Sequence, residues 1–166
     1  MSRITVITGK RGTGKSRYCL DLLEECEKEG LSAGGFIAPA VYSDGLRTAF
    51  YTMDVRTREK RLCGVRTDED RSTIGRWQMD PSVLEWGNEL LRNSTPCDVL
   101  FIDELGPLEF DRREGYTEAF TVLKGSGYGR AYVVIRPECL DAFRSILPQF
   151  DMITPEGGAC TTGPRI

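Results

Sequence analysis

The chain has 166 residues, of which 40% are hydrophobic and 28% charged, and its formal net charge is −3. The length fits one domain with a single core, and the composition is that of an ordinary globular protein rather than a disordered or fibrous one. The net negative charge argues against a protein that binds nucleic acid over a broad basic surface, and no apolar run approaches the roughly 20 residues of a membrane span.

The N-terminal part of the chain predicts a strand, a loop and a helix. No signal peptide precedes them, so a cytoplasmic location without membrane contact is expected. Residues 4–8 form a short apolar run rich in β-branched side chains, and a helical pattern extends from Lys15 to Gly30. Three further runs predict the strands of an antiparallel meander, at residues 34–42, 46–55 and 59–65.

The second half of the chain alternates between helical and strand patterns. Residues 66–79 are polar without a clear period and are predicted to form a surface loop. Asp80 caps a helix that starts at Pro81 and runs to Arg92, and residues 97–106 are typical of a buried parallel strand. The remaining predicted elements are a helix at 114–124, a strand at 130–136, a helix at 137–147, a short strand at 150–154 and a frayed tail at 154–166.

The order of these elements predicts an α/β fold. Strands that alternate with helices favour a mostly parallel sheet, and the meander after the first helix becomes an antiparallel insertion or edge. The sequence contains no repeat, no low-complexity block and no long interior linker. Residues 1–166 are therefore predicted to form a single domain.

Residues 9–16, GKRGTGKS, match the phosphate-loop pattern Gly-x-x-x-x-Gly-Lys-Ser/Thr, also called Walker A, between a predicted strand and a predicted helix. The glycines let successive backbone N–H groups surround a phosphate, and the helix N-terminus adds partial positive charge. Lys15 is expected to contact the β- and γ-phosphates, and the Ser16 hydroxyl to bind Mg²⁺. The predicted nucleotide-binding residues are Gly9, Lys10, Arg11, Gly12, Thr13, Gly14, Lys15, Ser16 and Arg17.

A second acidic motif completes the predicted nucleotide site. The apolar run at 99–102 ends in Asp103, which is expected to hold Mg²⁺ as a Walker B aspartate, and Glu104 follows directly. The chain has no histidine, so a general base must be another group, and Glu104 is predicted to activate the attacking water. The six cysteines are scattered without metal-site spacing and are expected to be small thiols within the fold.

Three segments, ITGKRGTGKS, GGFIAP and FIDELGPLEF, together resemble the small nucleoside-triphosphatase family first known from thermophiles. The resemblance extends from Ile4 to about Asp151. It implies a three-layer, RecA-like P-loop fold and Mg²⁺-dependent hydrolysis of ATP, GTP and other nucleoside triphosphates, with low base selectivity and slow turnover. Glu109 matches a glutamate of the family motif and is expected to have a site role.

Two positions depart from the family pattern. Many members carry an acid soon after Gly-Phe in the second strand, where this chain has Ala38, Pro39 and Ala40, so hydrolysis is expected to be weaker. Arg136 lies at the carboxyl end of a predicted parallel strand, where open α/β sheets bind ligands. Arg136 is therefore a catalytic candidate for contact with the γ-phosphate, and a solvent-exposed arginine at a helix start is the alternative.

Several other side chains are less informative. Trp77 and Trp86 are predicted to pack in the core or against loops, and Arg112 and Arg113 to form a solvated pair. The aromatic residues of the meander are candidates to clasp a base, but no residue identifies which base. These aromatic residues are Tyr42, Phe50 and Tyr51.

Four rival classes of phosphate-loop protein remain open from the sequence. The first is a regulatory module that binds nucleotide with little turnover and signals to an unknown protein partner. The second is a small-molecule or nucleotide kinase, which needs an acceptor site and a lid. Lys10 also matches dimeric ATPases with an extra loop lysine, so a dimer is the alternative to the favoured monomer. A GTPase switch is least favoured, because no Asn-Lys-x-Asp element occurs.

Overall fold

A nine-stranded sheet runs through the described part of the protein in this computed structural model, which describes residues 3–10, 12–67 and 77–155. Its strands are β1 (Ile4–Ile7), β2 (Ala33–Ile37), β3 (Ala40–Ser43), β4 (Leu46–Asp54), β5 (Lys60–Arg66), β6 (Trp77–Met79), β7 (Cys97–Leu105), β8 (Tyr128–Ile135) and β9 (Asp151–Ile153). The helices are α1 (Lys15–Lys28), α2 (Pro81–Arg92), α3 (Pro107–Phe110), α4 (Glu118–Lys124) and α5 (Leu140–Ile146), with a 3-10 turn at Pro137–Cys139.

The sheet has a parallel part and an antiparallel part. The strand order is β6-β5-β4-β2-β7-β8-β1-β9, and β3 also pairs with β4, along the edge opposite to β5. Strands β2, β7, β8, β1 and β9 pair in parallel, whereas β3, β4, β5 and β6 pair antiparallel. The carboxyl ends of the parallel strands therefore share one edge, which is where open α/β sheets bind ligands.

Helices cover both faces of the sheet, because the central strands are apolar on both sides. In β7, Val99 and Phe101 pack in the cluster that contains the buried face of α1. Leu100 and Ile102 point the other way, into the cluster that contains residues of α2, α4 and α5. The predicted three-layer α/β architecture is confirmed.

The meander differs from its sequence prediction in two places. Residues 34–42 were predicted as one strand, but the chain leaves the sheet at Ala38 and Pro39, so that β2 and β3 are separate. Proline has no N–H to donate to a strand ladder, which explains the break. The predicted loop at 66–79 is wrong at its end, because Trp77–Met79 pairs with β5. Three residues are too few to show a strand period, and residues 68–76 lie outside the described residues.

The helical predictions need smaller corrections. The helix predicted at 114–124 begins only at Glu118, because Asn88 of α2 holds the preceding turn through the Gly115 carbonyl and the Glu118 amide. The single turn α3 was not predicted. The helix predicted at 137–147 starts as a 3-10 turn and becomes α5 at Leu140.

Other expectations agree with the structure. Asp80 caps α2, since its Oδ1 accepts hydrogen bonds from the backbone N–H and the hydroxyl of Ser82. The five cysteines of the described residues are buried free thiols. Trp86 is buried in the core. In residues 3–10, 12–67 and 77–155, no helix is long and apolar enough to cross a membrane. The tail predicted to fray lies outside the described residues from residue 156 onward.

Candidate functional site

A cavity of about 830 Å³ opens at the edge where the parallel strands end. Its volume lies in the range that is typical of small-molecule sites. The phosphate loop forms one wall, the ends of β7 and β8 form the floor, and the antiparallel meander forms the opposite wall. The described residues with predicted site roles that line the cavity are Gly9, Lys10, Gly12, Thr13, Gly14, Lys15, Ser16, Arg17, Asp103, Glu104 and Arg136. Arg11 lies outside the described residues.

The phosphate loop adopts a conformation that its glycines permit. Gly12 and Gly14 have φ angles of 76° and 80°, in the left-handed region that favours glycine. Gly14 is the residue before α1, which begins at Lys15. The Thr13 hydroxyl donates a hydrogen bond of 2.8 Å to the Lys10 carbonyl and so closes the loop on itself. Backbone N–H groups at the start of α1 therefore face the cavity, as phosphate binding requires.

Lys15 connects the loop to the floor of the cavity. Its Nζ donates a 2.8 Å hydrogen bond to the Gly9 carbonyl and lies 3.8 Å from Oε2 of Glu104. The side chain is only 12% exposed, so this ammonium is held in place rather than free in solvent. An ammonium between the phosphate loop and an acidic floor is well placed to contact the terminal phosphates of a nucleotide.

Asp103 lies near the carboxyl end of β7 and is almost inaccessible to solvent. Its Oδ2 accepts a 3.1 Å hydrogen bond from the backbone N–H of Ala38. Burial and then the neighbouring Glu104 raise the pKa of Asp103 to about 6, against the opposing effects of the Ser16 side chain, the Ala38 amide and the charge of Arg47. A carboxylate beside a serine hydroxyl provides the oxygen ligands that Mg²⁺ prefers, so these residues fit that ion.

Glu104 lies between two cations. Nε of Arg136 donates a 3.0 Å hydrogen bond to Oε1 of Glu104, while Lys15 approaches Oε2. Burial of the guanidinium lowers the pKa of Arg136, but the charge and the hydrogen bond of Glu104 together outweigh burial, so the pKa of Arg136 is raised. The Arg136 side chain also packs against Gly106, where an added Cβ would lie 3.2 Å from Arg136 Cδ. Arg136 therefore lies in the cavity wall and fixes the orientation of Glu104.

Glu109 has a different location from the other predicted site residues. Its side chain is buried, with Oε2 accepting from the Gly106 N–H at 3.0 Å and Oε1 from the Tyr116 N–H at 3.3 Å. Burial raises the pKa of this carboxyl despite both bonds. Glu109 does not line the cavity. It organises the loop that follows β7, and its predicted catalytic role stays a prediction. Arg112 and Arg113 are exposed in that loop, as a solvated pair should be.

The meander wall contributes residues that the sequence did not identify. Arg47, Arg66 and Leu46 line the cavity together with Tyr42 and Trp77. Arg47 lies on β4 just after the turn that joins β3 to β4. No local pattern marks it as a site residue, because its position facing the cavity depends on strand pairing. The one available signal was the Asp-Gly turn, which predicts the hairpin but not the direction of its side chains.

Comparison with protein-family models gives one result that covers most of the chain. A model described as NTPase matches residues 4–145. This segment contains the phosphate loop, the acids at the end of β7 and most of the sheet.

Curated relatives carry the same kind of name. The chain is 37% identical over 103 residues to a nucleoside-triphosphatase THEP1 from Ignicoccus hospitalis, an alignment that covers 62% of this chain and 58% of that protein. It is 32% identical over 108 residues to a nucleoside-triphosphatase THEP1 from Archaeoglobus fulgidus, covering 65% of this chain and 63% of that protein. The chain thus spans about three fifths of the length of these relatives.

Two solved structures share the fold. A human cancer-related nucleoside triphosphatase superposes with a TM-score of 0.67 at 20% identity, covering 92% of this chain and 88% of that chain. THEP1 from Aquifex aeolicus superposes with a TM-score of 0.65 at 18% identity, covering 92% and 90% respectively. At these identities the two superpositions support the three-layer architecture.

Proposed function

This chain belongs to the NTPase family, and from that premise we propose that it hydrolyses nucleoside triphosphates to nucleoside diphosphates and inorganic phosphate. The observation that carries the proposal is the position of Glu104. Its carboxylate faces the cavity between Lys15 and Arg136, directly after the buried Asp103. A phosphate loop facing an oriented carboxylate is the arrangement that attack by water on a terminal phosphate needs.

The phosphate loop binds the triphosphate in this proposal. Backbone N–H groups of Gly12, Thr13 and Gly14, together with the start of α1, surround the phosphates. Lys15 exchanges its bond to the Gly9 carbonyl for phosphate oxygens. Lys10 and Arg17 line the outer part of the same wall, where they add positive charge.

Mg²⁺ is the divalent cation that the oxygen ligands favour. Ser16 and Asp103 would hold it, through the hydroxyl and the carboxylate. When bound, Mg²⁺ offsets the negative charge of the β- and γ-phosphates. The Ala38 N–H fixes one oxygen of Asp103, so the carboxylate has little freedom to turn away. This backbone contact does not need an acidic side chain at position 38.

Glu104 is the proposed general base. It accepts a proton from a water molecule as the water oxygen forms a bond to the γ-phosphorus, while the bond from that phosphorus to the β–γ bridging oxygen breaks. The electron pair of the broken bond stays on the nucleoside diphosphate. Arg136 acts as a positioning residue, because its 3.0 Å bond holds the Glu104 carboxylate in the cavity.

Base selectivity, domain organisation, oligomeric state and location are also proposals. Low selectivity for the base agrees with the absence, among the described lining residues, of any asparagine or glutamine side chain to read a base edge. A single domain over 1–166, a monomeric state and a cytoplasmic location remain predictions from the sequence. No protein or nucleic-acid partner is proposed.

The first test is phosphate release without an acceptor. Wild-type protein with ATP or with GTP and Mg²⁺ should release inorganic phosphate in equal amount to the diphosphate, and EDTA should stop the reaction. Lys15→Ala is the inactive control. Nucleotide binding without any release would favour the regulatory module. Formation of nucleoside diphosphate that requires an added small-molecule acceptor and yields no inorganic phosphate would favour the kinase, for which the basic meander wall is a candidate acceptor site.

A further inference from the structure

The described lining of the cavity contains four arginines, Arg17, Arg47, Arg66 and Arg136. Three of them have clearly different partners. Arg17 forms an ion pair with Asp21 on the surface of α1, with 3.2 Å between Nε and Oδ1. Arg136 donates its Nε–H to Glu104. Arg47 forms no close ion pair within the described part of the chain, although its charge acts on Asp103, and its Nε is buried there without a hydrogen-bond acceptor. A buried guanidinium N–H without an acceptor is unfavourable, so a ligand that supplies one is favoured.

An aromatic shelf, formed by the rings of Phe50 and Trp77, holds the Arg47 guanidinium. The Cζ atom of Arg47 lies 4.7 Å from the ring centroid of Phe50 and 5.5 Å from that of Trp77. The two rings meet edge to face with centroids 5.3 Å apart. Ring contacts of this kind orient a guanidinium without neutralising its charge, unlike an ion pair.

Strand pairing brings the two rings of this shelf together. Phe50 on β4 pairs with Gly64 on β5, and Gly64 pairs with Met79, two residues after Trp77 on β6. An added Cβ at Gly64 would collide with the Phe50 ring, so the glycine makes room for the shelf. The shelf therefore depends on the pairing of three successive strands rather than on a local sequence pattern.

The same topology sets Arg47 opposite the phosphate loop. Reading outward from β1, the sheet runs through β8, β7 and β2 to β4. Asp103 and Glu104 at the end of β7 thus lie between Lys15 on one side and Arg47 on the other. The terminal phosphate of a nucleotide bound at the loop points toward these acids if Glu104 activates the water. Its oxygens would then face the meander wall.

We propose that Arg47 is a catalytic residue that donates hydrogen bonds to oxygens of the γ-phosphoryl group during hydrolysis. This inference rests on the proposed function. Arg47 transfers no proton: it stabilises the negative charge on the phosphoryl oxygens while the bond to the bridging oxygen breaks and the bond to water forms. Arg136, the candidate from the sequence for γ-phosphate contact, instead orients the base.

The test compares Arg47→Met with Arg61→Met. Methionine keeps an unbranched apolar side chain against the aromatic rings but removes the charge. Arg61 is the matched control, because its Cζ lies 4.1 Å from the ring centroid of Trp86 and it pairs with Glu59, outside the cavity. Arg47→Lys is a second variant, which keeps the charge without the planar fork. Thermal unfolding of each variant checks that the fold is retained.

The measurements are kcat for phosphate release and the affinities for ADP and for ADP with Mg²⁺ and aluminium fluoride. Arg47→Met should lower kcat by about 100-fold or more and weaken the aluminium fluoride complex, since removing one transition-state donor typically has an effect of that order. ADP affinity should stay within about twofold of wild type, because ADP lacks the γ-phosphate. The kcat of Arg47→Lys should fall between those of Arg47→Met and wild type, and the kcat of Arg61→Met should match that of wild type.

Other outcomes separate failure of this inference from failure of the proposed function. A kcat for Arg47→Met near that of wild type, or an equal loss of ADP affinity and kcat, would overturn the role of Arg47 while leaving hydrolysis established. If wild type releases no phosphate, the proposed function fails. The affinities for ATPγS and for ADP then test whether Arg47 contacts a γ-phosphate. If Arg47→Met leaves the ratio of the two affinities unchanged, contact between Arg47 and a γ-phosphate is excluded. If Arg47→Met weakens binding of ATPγS but not of ADP, that contact is supported.

Discussion

The phosphate loop and the meander wall face the same cavity, but the chain encodes them in different ways. The loop is one continuous segment, residues 9–16, held by its own backbone and by Thr13. The wall is assembled from Arg47, Phe50 and Trp77, which meet only because β4, β5 and β6 pair. A local motif thus identifies the class of ligand, whereas long-range pairing determines which charges surround that ligand.

This difference leads to different expectations for mutations. A change in the loop should act directly on nucleotide affinity, because the loop itself contacts the phosphates. A change in the wall should act on the reaction rate, or on stability, because its side chains are positioned through packing.

Lys15→Ala should have the largest effect. It removes the ammonium that lies between the Gly9 carbonyl and Glu104. Hydrogen bonds to charged groups contribute about 1.5–3 kcal/mol each, so two lost contacts to phosphates predict at least a 100-fold loss of ATP affinity. Titration calorimetry with ATP and Mg²⁺ measures this. Lys60→Ala, at a lysine near the Tyr51 ring outside the cavity, is the control and should bind like wild type.

Gly64→Ala should show an intermediate effect through the wall. The added methyl group would displace the Phe50 ring, which contacts the Arg47 guanidinium, and so would shift Arg47. Overpacking of this kind costs about 1–3 kcal/mol of stability, which urea unfolding measures. Hydrolysis should slow by about 10-fold, with ADP affinity unchanged. In an Arg47→Met background the same substitution should not slow hydrolysis further, and an additive loss there would show that Gly64 acts by another route.

Tyr116→Phe should have the smallest effect and should concern stability. The buried hydroxyl of Tyr116 lies 2.7 Å from Thr52 Oγ1 and 3.4 Å from Cys63 Sγ, and so joins the loop after β7 to the meander. Its removal leaves the Thr52 hydroxyl without this partner, which predicts a loss of about 1–3 kcal/mol in unfolding free energy. Denaturant unfolding of Tyr116→Phe and of the double variant with Thr52→Val checks this. The double variant should recover part of the loss, since neither polar group then lacks a partner.

The sequence predicts those parts of the fold and site that depend on neighbours along the chain. The phosphate loop, the buried strand that carries Asp103 and the cap at Asp80 each follow from a short pattern with a local physical cause. The three-layer α/β architecture followed from the alternation of strands and helices and from the family resemblance, and it is confirmed.

The features that the sequence did not predict depend on partners elsewhere in the chain. Strand β6 is too short to show a period, and its pairing with β5 defines it. Arg47 could not be recognised, because nothing near it in sequence shows that Trp77 contacts its guanidinium. Glu109 carries a family signature, yet its carboxylate binds the backbone of Gly106 and Tyr116. A motif match identified the residue but not the direction of its side chain.

The central claim is that Glu104 activates water for attack on a nucleoside triphosphate. The most direct measurement compares phosphate release and nucleotide affinity for wild type, Glu104→Gln and the control Glu59→Gln, whose glutamate lies outside the cavity. We expect Glu104→Gln to slow hydrolysis by about 100-fold, a typical effect for loss of a general base, while ATP affinity is retained. Glu59→Gln should behave like wild type. Wild-type turnover in Glu104→Gln would contradict the claim and would place the base elsewhere.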